Sequence, residues 1–236
     1  MARLEQVSTP RGTLRVAFTD RADGDFRVDG PLDELEARRR GLVDHRWTWL
    51  RQVHGHRVVV VSQPGEGAGT EADGAVTNAL NCPLAVTTAD CAPVVLVAEE
   101  GFAVVHAGWR GLMAGVIDNA AQALAAIGGP AVATLIGPCI NPAAYEFGAD
   151  DLELAAAALG PAVRAATAWG TPALDVPVAV EVVCRRLGWP PPSARPPCTS
   201  QGRYFSYRTR GDHGRQTAVA WFEAGTDPGA LRREQG

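Results

Sequence analysis

Short apolar runs, each bounded by turn-forming residues, dominate the first half of the chain and predict β-strands. The runs are rich in valine and alanine, and Gly, Pro, Asn or Asp stands near their ends, as is typical of strands. They cover residues 14–18, 57–61, 84–88, 93–98 and 102–106. A further run of this kind, 131–136, follows later in the chain. The pattern therefore predicts a protein rich in β-sheet.

A change of period after residue 110 predicts helices. In "GLMAGVIDNAAQALAAIGG", residues 111–129, apolar positions recur at helical spacing and a Gly pair ends the segment. One face of this helix would carry Leu112, Val116, Ala120 and Leu124. Two more helices are expected at about 149–159 and 175–187.

The last third of the chain predicts a loop followed by two strands. "GWPPPSARPPC", residues 188–198, contains too much proline for a helix or a strand. "RYFSYR" (203–208) and "TAVAWF" (217–222) are expected to form strands on either side of a turn. The sequence shows no internal repeat and no long linker. We therefore predict one α+β domain over residues 1–236, built on mixed sheets flanked by helices.

Composition excludes several classes of function. A chain of 236 residues that is 46% hydrophobic can bury an ordinary core. Its net charge of -4 gives no electrostatic case for binding nucleic acid. The sequence contains no lysine, which a bias in genome composition would explain. A Schiff-base lysine and a phosphate-loop lysine are consequently excluded as catalytic groups.

The cysteines and the amino-terminal residues favour a cytoplasmic protein. An odd number of cysteines in a chain of this size predicts reduced thiols, here Cys82, Cys91, Cys139, Cys184 and Cys198. "MARLEQVSTPRG" has no apolar core of a signal peptide, and no stretch reaches about eighteen consecutive apolar residues. We therefore expect neither secretion nor membrane insertion.

Three potential metal ligands stand where a predicted strand meets a turn. They are His54 in "RQVHGH", Cys91 in "TTADCAP" and His106 in "VVHAGWRG". Two imidazoles and one thiolate suit Zn²⁺, and three protein ligands leave a fourth position for water or substrate. Taken singly, Cys91 could instead be a small buried hydrophobic residue. His45 and His56 lack this context, so we expect them on the surface.

The turn after His106 is a candidate anion site. A helix beginning near Gly111 would offer unpaired N–H groups, and Arg110 beside it carries a fork of donors suited to phosphate. Alternatively, Arg110 forms an ion pair with Asp90 or Glu146. Arg208 and Arg215 are further candidates for contact with an anion.

Two aspartates could act beside the metal ligands. Asp90 could orient a ligating histidine or serve as a general base, and it could also be an ordinary turn aspartate. Asp73, which stands just ahead of a short strand, has the same alternatives. Cys139 in "GPCI" could be a nucleophile, but packing behind a Gly-Pro turn explains it as well and is preferred.

Several motifs in order resemble one family, the YfiH-like proteins, also called the laccase-domain or polyphenol oxidase family. From about residue 46 onward the resemblance rests on "QVHG", "EADGAVTN", "TTADCAPVVL", "VVHAGWRGL", "IGPCINPAAYEFG", "LDV" and "CTSQGRYFSYRTRGDHGRQTAVAW". The resemblance implies an α/β/β/α fold. It also implies that His54, Cys91 and His106 bind a zinc ion.

The same resemblance implies an enzyme that acts on purine nucleosides. Some members of the family are purine nucleoside phosphorylases acting on adenosine, inosine, guanosine and methylthioadenosine, and adenosine deamination is also associated with them. Purine nucleoside and phosphate are then the expected partners, with Cys91, Asp90 and Arg110 in catalytic roles. Substrate contacts are predicted for Asp73, Thr88, Trp109, Tyr145 and Arg208.

Other functions remain open at this stage. The segment at about 18–42 is shorter than the Gly-rich stretch of relatives, which helps to wall their pocket. Editing of peptidoglycan precursors by amide hydrolysis, or simple metal or partner binding, could use the same cluster. Laccase activity is disfavoured because five histidines are too few for a multicopper oxidase, although a single Cu²⁺ could occupy the cluster in vitro.

Overall fold

Two β-sheets packed face to face form the centre of the molecule in a computed structural model that describes residues 1–223. The strands are β1 (Arg3–Thr9), β2 (Gly12–Phe18), β3 (Thr48–Arg51), β4 (Val58–Val60), β5 (Thr70–Glu71), β6 (Gly74–Thr77), β7 (Leu84–Thr88), β8 (Ala92–Ala98), β9 (Phe102–Ala107), β10 (Ala131–Ile136), β11 (Arg164–Ala166), β12 (Pro172–Leu174) and β13 (Gln216–Phe222). The helices are α1 (Leu32–Leu42), α2 (Trp109–Met113), α3 (Val116–Gly128), α4 (Ala149–Leu159), α5 (Val176–Arg186) and α6 (Tyr207–Arg210).

Both large sheets are mixed. The first has the order β1-β2-β13-β7-β3-β5, and the second has the order β10-β8-β9-β6-β4. Most neighbouring strands are antiparallel, whereas β3 runs parallel to β5 and β7, and β4 runs parallel to β6. A small separate hairpin consists of β11 and β12.

Alternating side chains along the strands divide the core into three layers. Leu84 and Val86 of β7 face Val95 and Val104 of the second sheet in the central layer. The outer face of the second sheet packs on α3, α4 and α5, and the outer face of the first sheet packs on α1. The predicted α/β/β/α arrangement is therefore confirmed.

Most of the predicted elements are present. The runs at 14–18, 84–88, 93–98, 102–106 and 131–136 are strands, and the run at 57–61 contains β4. The helices predicted at about 149–159 and 175–187 are α4 and α5. The proline-rich segment forms neither helix nor strand through residue 197. The domain was predicted to extend to residue 236, and residues 224–236 lie outside the described part of the chain.

The helix predicted at 111–129 is divided into two. Gly115 adopts a left-handed conformation with φ of 85°, which ends α2 and begins α3. Glycine has no Cβ and takes this conformation without strain. The four apolar positions are buried as predicted, with Leu112 on α2 and Val116, Ala120 and Leu124 on α3.

The prediction of a strand at 203–208 is wrong. The backbone there is irregular and enters the short helix α6 at Tyr207. Side chains form hydrogen bonds with the backbone in and next to this segment. The Ser206 hydroxyl caps α6 by accepting a bond from the Thr209 N–H group. The Gln216 side-chain amide accepts a bond from the Phe205 N–H group and donates one to the Phe205 carbonyl group. These bonds replace the strand pairing that an apolar pattern would favour.

The sequence pattern also missed α1 and several short strands. In α1 only Leu35 and Arg39 are buried, so its apolar periodicity is too weak to be seen. Strands β3, β5 and β6 have four residues or fewer. Within residues 1–223, no helix has the length and apolar character needed to cross a membrane.

Candidate metal centre and its surroundings

The three predicted metal ligands meet at one end of the second sheet. One ligand atom each from His54, Cys91 and His106 lies within 4.8 Å of the others. The two imidazole rings are 4.8 Å apart between centroids and nearly perpendicular. His106 is buried, Cys91 is partly buried and His54 is exposed. The structure thus brings together the residues that the strand-to-turn pattern singled out.

Strand register explains this convergence. Cys91 directly precedes β8, whose first residue, Ala92, pairs with Ala107 at the end of β9. His106 is therefore opposite the start of β8, next to the thiol. His54 reaches the same place from the loop between β3 and β4.

Asp73 holds both histidines. Its Oδ1 atom lies 2.8 Å from His106 Nδ1 and accepts a hydrogen bond of 2.9 Å from the His54 N–H group. Its Oδ2 atom accepts bonds of 2.7 Å from Gly55 N–H and 3.2 Å from Val53 N–H. These bonds stabilise the loop in which His54 has a left-handed φ of 58°. Because the bond to Nδ1 orients the His106 ring, Nε2 is the ring nitrogen that faces the cluster and could bind a metal.

Asp73 is therefore a supporting residue rather than a substrate contact. Its side chain has no exposed surface, and both of its oxygens are engaged. The predicted contact between Asp73 and substrate is corrected on this ground. Of its two sequence-based alternatives, orientation of a ligating histidine agrees with the geometry.

The cluster favours an ionised thiol. Burial alone would raise the pKa of Cys91, but the charge and hydrogen bonds of His106 and the hydrogen bond of His54 outweigh it and lower the pKa to about 6. Burial alone would lower the pKa of His106, whereas the Cys91 charge and the Asp73 bond raise it to about 9. Thiolate is the form in which cysteine binds metal.

Gly108 keeps open the space beside the ligands. A Cβ atom on Gly108 would lie 3.0 Å from Cδ2 of His54 and 3.2 Å from Sγ of Cys91. Any side chain here would press on two of the three ligands. The absence of a Cβ and the donor set of two imidazoles and one thiolate together fit a borderline-soft divalent metal such as zinc or copper.

Asp90 does not orient a histidine. Its carboxylate accepts hydrogen bonds from the Thr199 hydroxyl (2.6 Å), the Ser206 hydroxyl (2.7 Å) and the Arg208 N–H group (2.7 Å). Local sequence patterns did not single out Thr199 and Ser206 as site residues, because single hydroxyl residues in a loop carry no pattern. The orienting role considered for Asp90 belongs to Asp73.

Arg110 forms no ion pair with a carboxylate in the part of the chain that the structure describes. Its guanidinium carbon lies 4.2 Å from the centroid of the Trp109 ring, and the residue is exposed. No ion pair among residues 1–223 joins it to Asp90 or Glu146, so that alternative is wrong. Since α2 has only five residues, an anion here would depend on Arg110 more than on a helix dipole.

A row of aromatic rings extends from Trp109. The Trp109 and Phe147 ring centroids are 5.1 Å apart, and those of Phe147 and Tyr145 are 5.3 Å apart, both with edge-to-face geometry. Arg208 lies over the far ring, 5.0 Å from the Tyr145 centroid. The row thus carries one arginine at each end, Arg110 on Trp109 and Arg208 on Tyr145.

Other predicted residues have structural positions. Thr88 is 2% exposed, so its predicted contact with substrate is not supported. The Cys139 thiol is fully buried, and burial raises its pKa well above the ordinary value, which agrees with a packing role. The Arg215 guanidinium group donates hydrogen bonds to the carbonyl groups of residues 212–214. The predicted contact of Arg215 with an anion is therefore not supported.

The remaining histidines and cysteines agree with the sequence. His45 and His56 are exposed, as expected. All five cysteines lie in the described part of the chain and are free thiols.

Replacing Asp73 by asparagine is expected to weaken zinc binding by about 10- to 100-fold, the usual effect of losing a partner of a metal-ligating histidine. An amide has one acceptor atom where the carboxylate uses two, so either the His106 ring or the His54 loop loses its partner. Competition with a chelator measures the affinity. Asp151→Asn, at an exposed position of α4, is the matched control. Equal affinity of Asp73→Asn and wild type would contradict this role.

Comparison with known proteins places the chain among named relatives. A family model described as multi-copper polyphenol oxidoreductase laccase matches residues 15–223. A purine nucleoside phosphorylase of Streptomyces coelicolor is 38% identical over 196 residues, covering 80% of this chain and 81% of the relative. A purine nucleoside phosphorylase of Mycobacterium tuberculosis is 35% identical over 233 residues, covering 94% and 93%.

Solved structures share the fold. The hypothetical protein YfiH of Bacillus licheniformis aligns with a TM-score of 0.78 at 20% identity, over 89% of this chain and 93% of that one. A Neisseria meningitidis protein aligns with a TM-score of 0.77 at 24% identity, over 94% and 99%. From the motifs, the fold and these relatives, the chain belongs to the YfiH-like, laccase-domain family, which includes proteins named as purine nucleoside phosphorylases.

Proposed function

We propose that the protein is a zinc-dependent purine nucleoside phosphorylase. It would convert adenosine, inosine, guanosine or methylthioadenosine and phosphate into the free base and a pentose 1-phosphate. The observation that carries the proposal is the cluster of His54, Cys91 and His106, whose ligand atoms lie within 4.8 Å of one another. The names of relatives that align over most of the chain support the substrate class.

The ligand set favours an open catalytic site. Three protein ligands leave a coordination position for a further group, in contrast to the four ligands of structural zinc sites. His54 is exposed, so the cluster can be reached from solvent. When bound, zinc would supply a Lewis acid beside the substrate. Asp73 keeps His106 in one orientation throughout.

The aromatic row is suited to a purine. Trp109 is partly exposed, and its ring is held by Phe147, which contacts Tyr145 in turn. Rings fixed in this way offer a planar base a large contact area at small cost in conformational entropy. We therefore propose Trp109 as the nucleoside contact, whereas Tyr145, which is 8% exposed, supports the row from its buried side.

Arg110 and Arg208 are the proposed phosphate contacts. Both are exposed, and each lies over a ring of the aromatic row. A guanidinium group can donate two parallel hydrogen bonds to phosphate. Since both residues border the row that would hold the nucleoside, they could bring phosphate to the pentose.

Adenosine deamination is a second candidate, because the exposed His54 gives water as well as phosphate access to the cluster. Multicopper oxidase activity, which the family description names, receives less support than phosphorolysis. Within residues 1–223, the cluster is the only group of three such ligands, and a multicopper oxidase needs several.

Dependence on phosphate is expected to decide between these reactions. Zinc-loaded protein incubated with adenosine should release adenine and ribose 1-phosphate only when phosphate is present, as separated by liquid chromatography. Release of inosine and ammonia without phosphate would support deamination instead. Inertness toward all four nucleosides, with full zinc content, would contradict both and favour amide hydrolysis or binding.

A further inference from the structure

One carboxylate ties the segment from Thr199 to Arg208 to the candidate metal ligand Cys91. Asp90 directly precedes Cys91, is 8% exposed and accepts three hydrogen bonds of 2.6 to 2.7 Å from this segment. Its own carbonyl group accepts a bond of 2.8 Å from the Ile140 N–H group. The position of the segment is therefore fixed relative to the metal cluster.

Arg208 forms no ion pair with any carboxylate among residues 1–223. Two other arginines of the same region form ion pairs, Arg203 with Asp20 and Arg210 with Asp212. Among the ion pairs within residues 1–223, none includes Arg208. Its backbone is anchored by Asp90 while its exposed guanidinium group remains available to a ligand.

Tyr145 connects Arg208 with the cluster. The Arg208 guanidinium carbon lies 5.0 Å from the Tyr145 ring centroid. Burial and then the negative charge of Cys91 raise the pKa of Tyr145 to about 12, and the charge and hydrogen bond of Arg208 oppose the rise. The Arg208 side chain therefore borders the Tyr145 ring, while its backbone is bonded to Asp90, the residue next to Cys91.

We propose that Arg208 is a binding residue for the phosphate co-substrate and that Asp90 is the positioning residue that holds Arg208 in place. The inference rests on the proposed phosphorolysis and adds to it the residue that holds Arg208, one of the proposed phosphate contacts, in place. A stacked and anchored guanidinium group loses little conformational freedom when it binds an oxyanion. Asp90 acts through Arg208 and transfers no proton.

Backbone strain at Asp90 agrees with a positioning role. Its φ of 98° is unfavourable for a residue with a Cβ, and glycine would adopt it more easily. The three hydrogen bonds of the carboxylate offset this strain. The Asp90 side chain therefore acts by holding the segment from Thr199 to Arg208 in place.

Binding of inorganic phosphate to the zinc-loaded protein, measured by isothermal titration calorimetry, tests Arg208 without any turnover. Arg208→Gln is expected to weaken phosphate binding by about 10- to 100-fold, the usual effect of losing a hydrogen bond between charged groups. Arg40→Gln, the same change at an exposed position of α1, should leave binding unchanged. Wild-type phosphate affinity in Arg208→Gln would overturn the proposal.

Two substitutions at Asp90 separate positioning from proton transfer. In Asp90→Asn the amide oxygen can accept from the Arg208 N–H group, and its NH₂ can donate to the two hydroxyls, which can reverse their bonds. Asp90→Gly removes every one of these bonds and relieves the strain. Asp90→Asn should therefore keep phosphate affinity and the pH profile of kcat, whereas Asp90→Gly should raise the phosphate KM about as much as Arg208→Gln.

The outcomes distinguish this inference from the proposed function. An equal loss of kcat in Asp90→Asn and Asp90→Gly, with phosphate affinity retained, would make Asp90 a proton-transfer residue and overturn its positioning role. Phosphorolysis with an unchanged phosphate KM in Arg208→Gln would overturn the inference alone. Phosphate binding that depends on Arg208 in a protein inert toward nucleosides would support the anion site and contradict the proposed function.

Discussion

Replacing His106 or Cys91 by alanine is expected to remove the bound metal and the activity together, while the protein stays folded. Either change leaves two ligands of three in the cluster. The fall in kcat/KM should exceed about 1000-fold, because losing a whole ligand is more severe than the 10- to 100-fold effect of losing an outer partner. The fold should persist because the core is formed by the packed layers of helices and sheets, independently of the ion.

Elemental analysis, kinetics and circular dichroism measure these three quantities. Matched controls exist for both substitutions. His56→Ala changes an exposed histidine close to His54, and Cys184→Ala changes a buried free cysteine of α5. Both controls should retain metal and activity. Equal metal content in His106→Ala and wild type would refute the assignment of the ligands.

Zinc affinity is expected to rise about tenfold for each pH unit between pH 6 and pH 9, a total of about 1000-fold. Above about pH 6 the Cys91 thiol is already ionised, and up to about pH 9 His106 carries a proton that the metal must displace. One proton is then released for each ion bound, so affinity increases as the proton concentration falls. Below pH 6, protonation of Cys91 should make the dependence steeper.

Chelator competition at several pH values, corrected for protonation of the chelator, measures this slope. Calorimetry in two buffers of different ionisation enthalpy should give about one proton released near pH 7.5, as linkage requires. His56→Ala should leave the slope unchanged. Affinity independent of pH between 6 and 9 would show that the cluster does not exist as a thiolate beside an imidazolium.

The sequence predicted the fold as far as local patterns reach. Runs such as 93–98 and 102–106 are fully buried strands. Their nearly continuous apolar character predicts this burial. Helix α5 begins at the N-cap Asp175, and helix α4 ends at Gly160, so both carry a local signal of a helix end. Helix α1 was missed because its apolar periodicity is weak. The strand at 203–208 was predicted wrongly because the segment bonds to Gln216 and Asp90 instead of pairing with a neighbouring strand.

For the site, local sequence patterns indicate which residue types are available and where the strands end. His54, Cys91 and His106 stand out for that reason, and the family motifs imply their common role. The different roles of the two aspartates follow from contacts that form only in the folded chain. Asp73 and Asp90 have similar local contexts, and their partners lie up to 118 residues away in the chain. Hydrogen-bond partners at such separations are set by sheet register and loop packing, which no local pattern encodes.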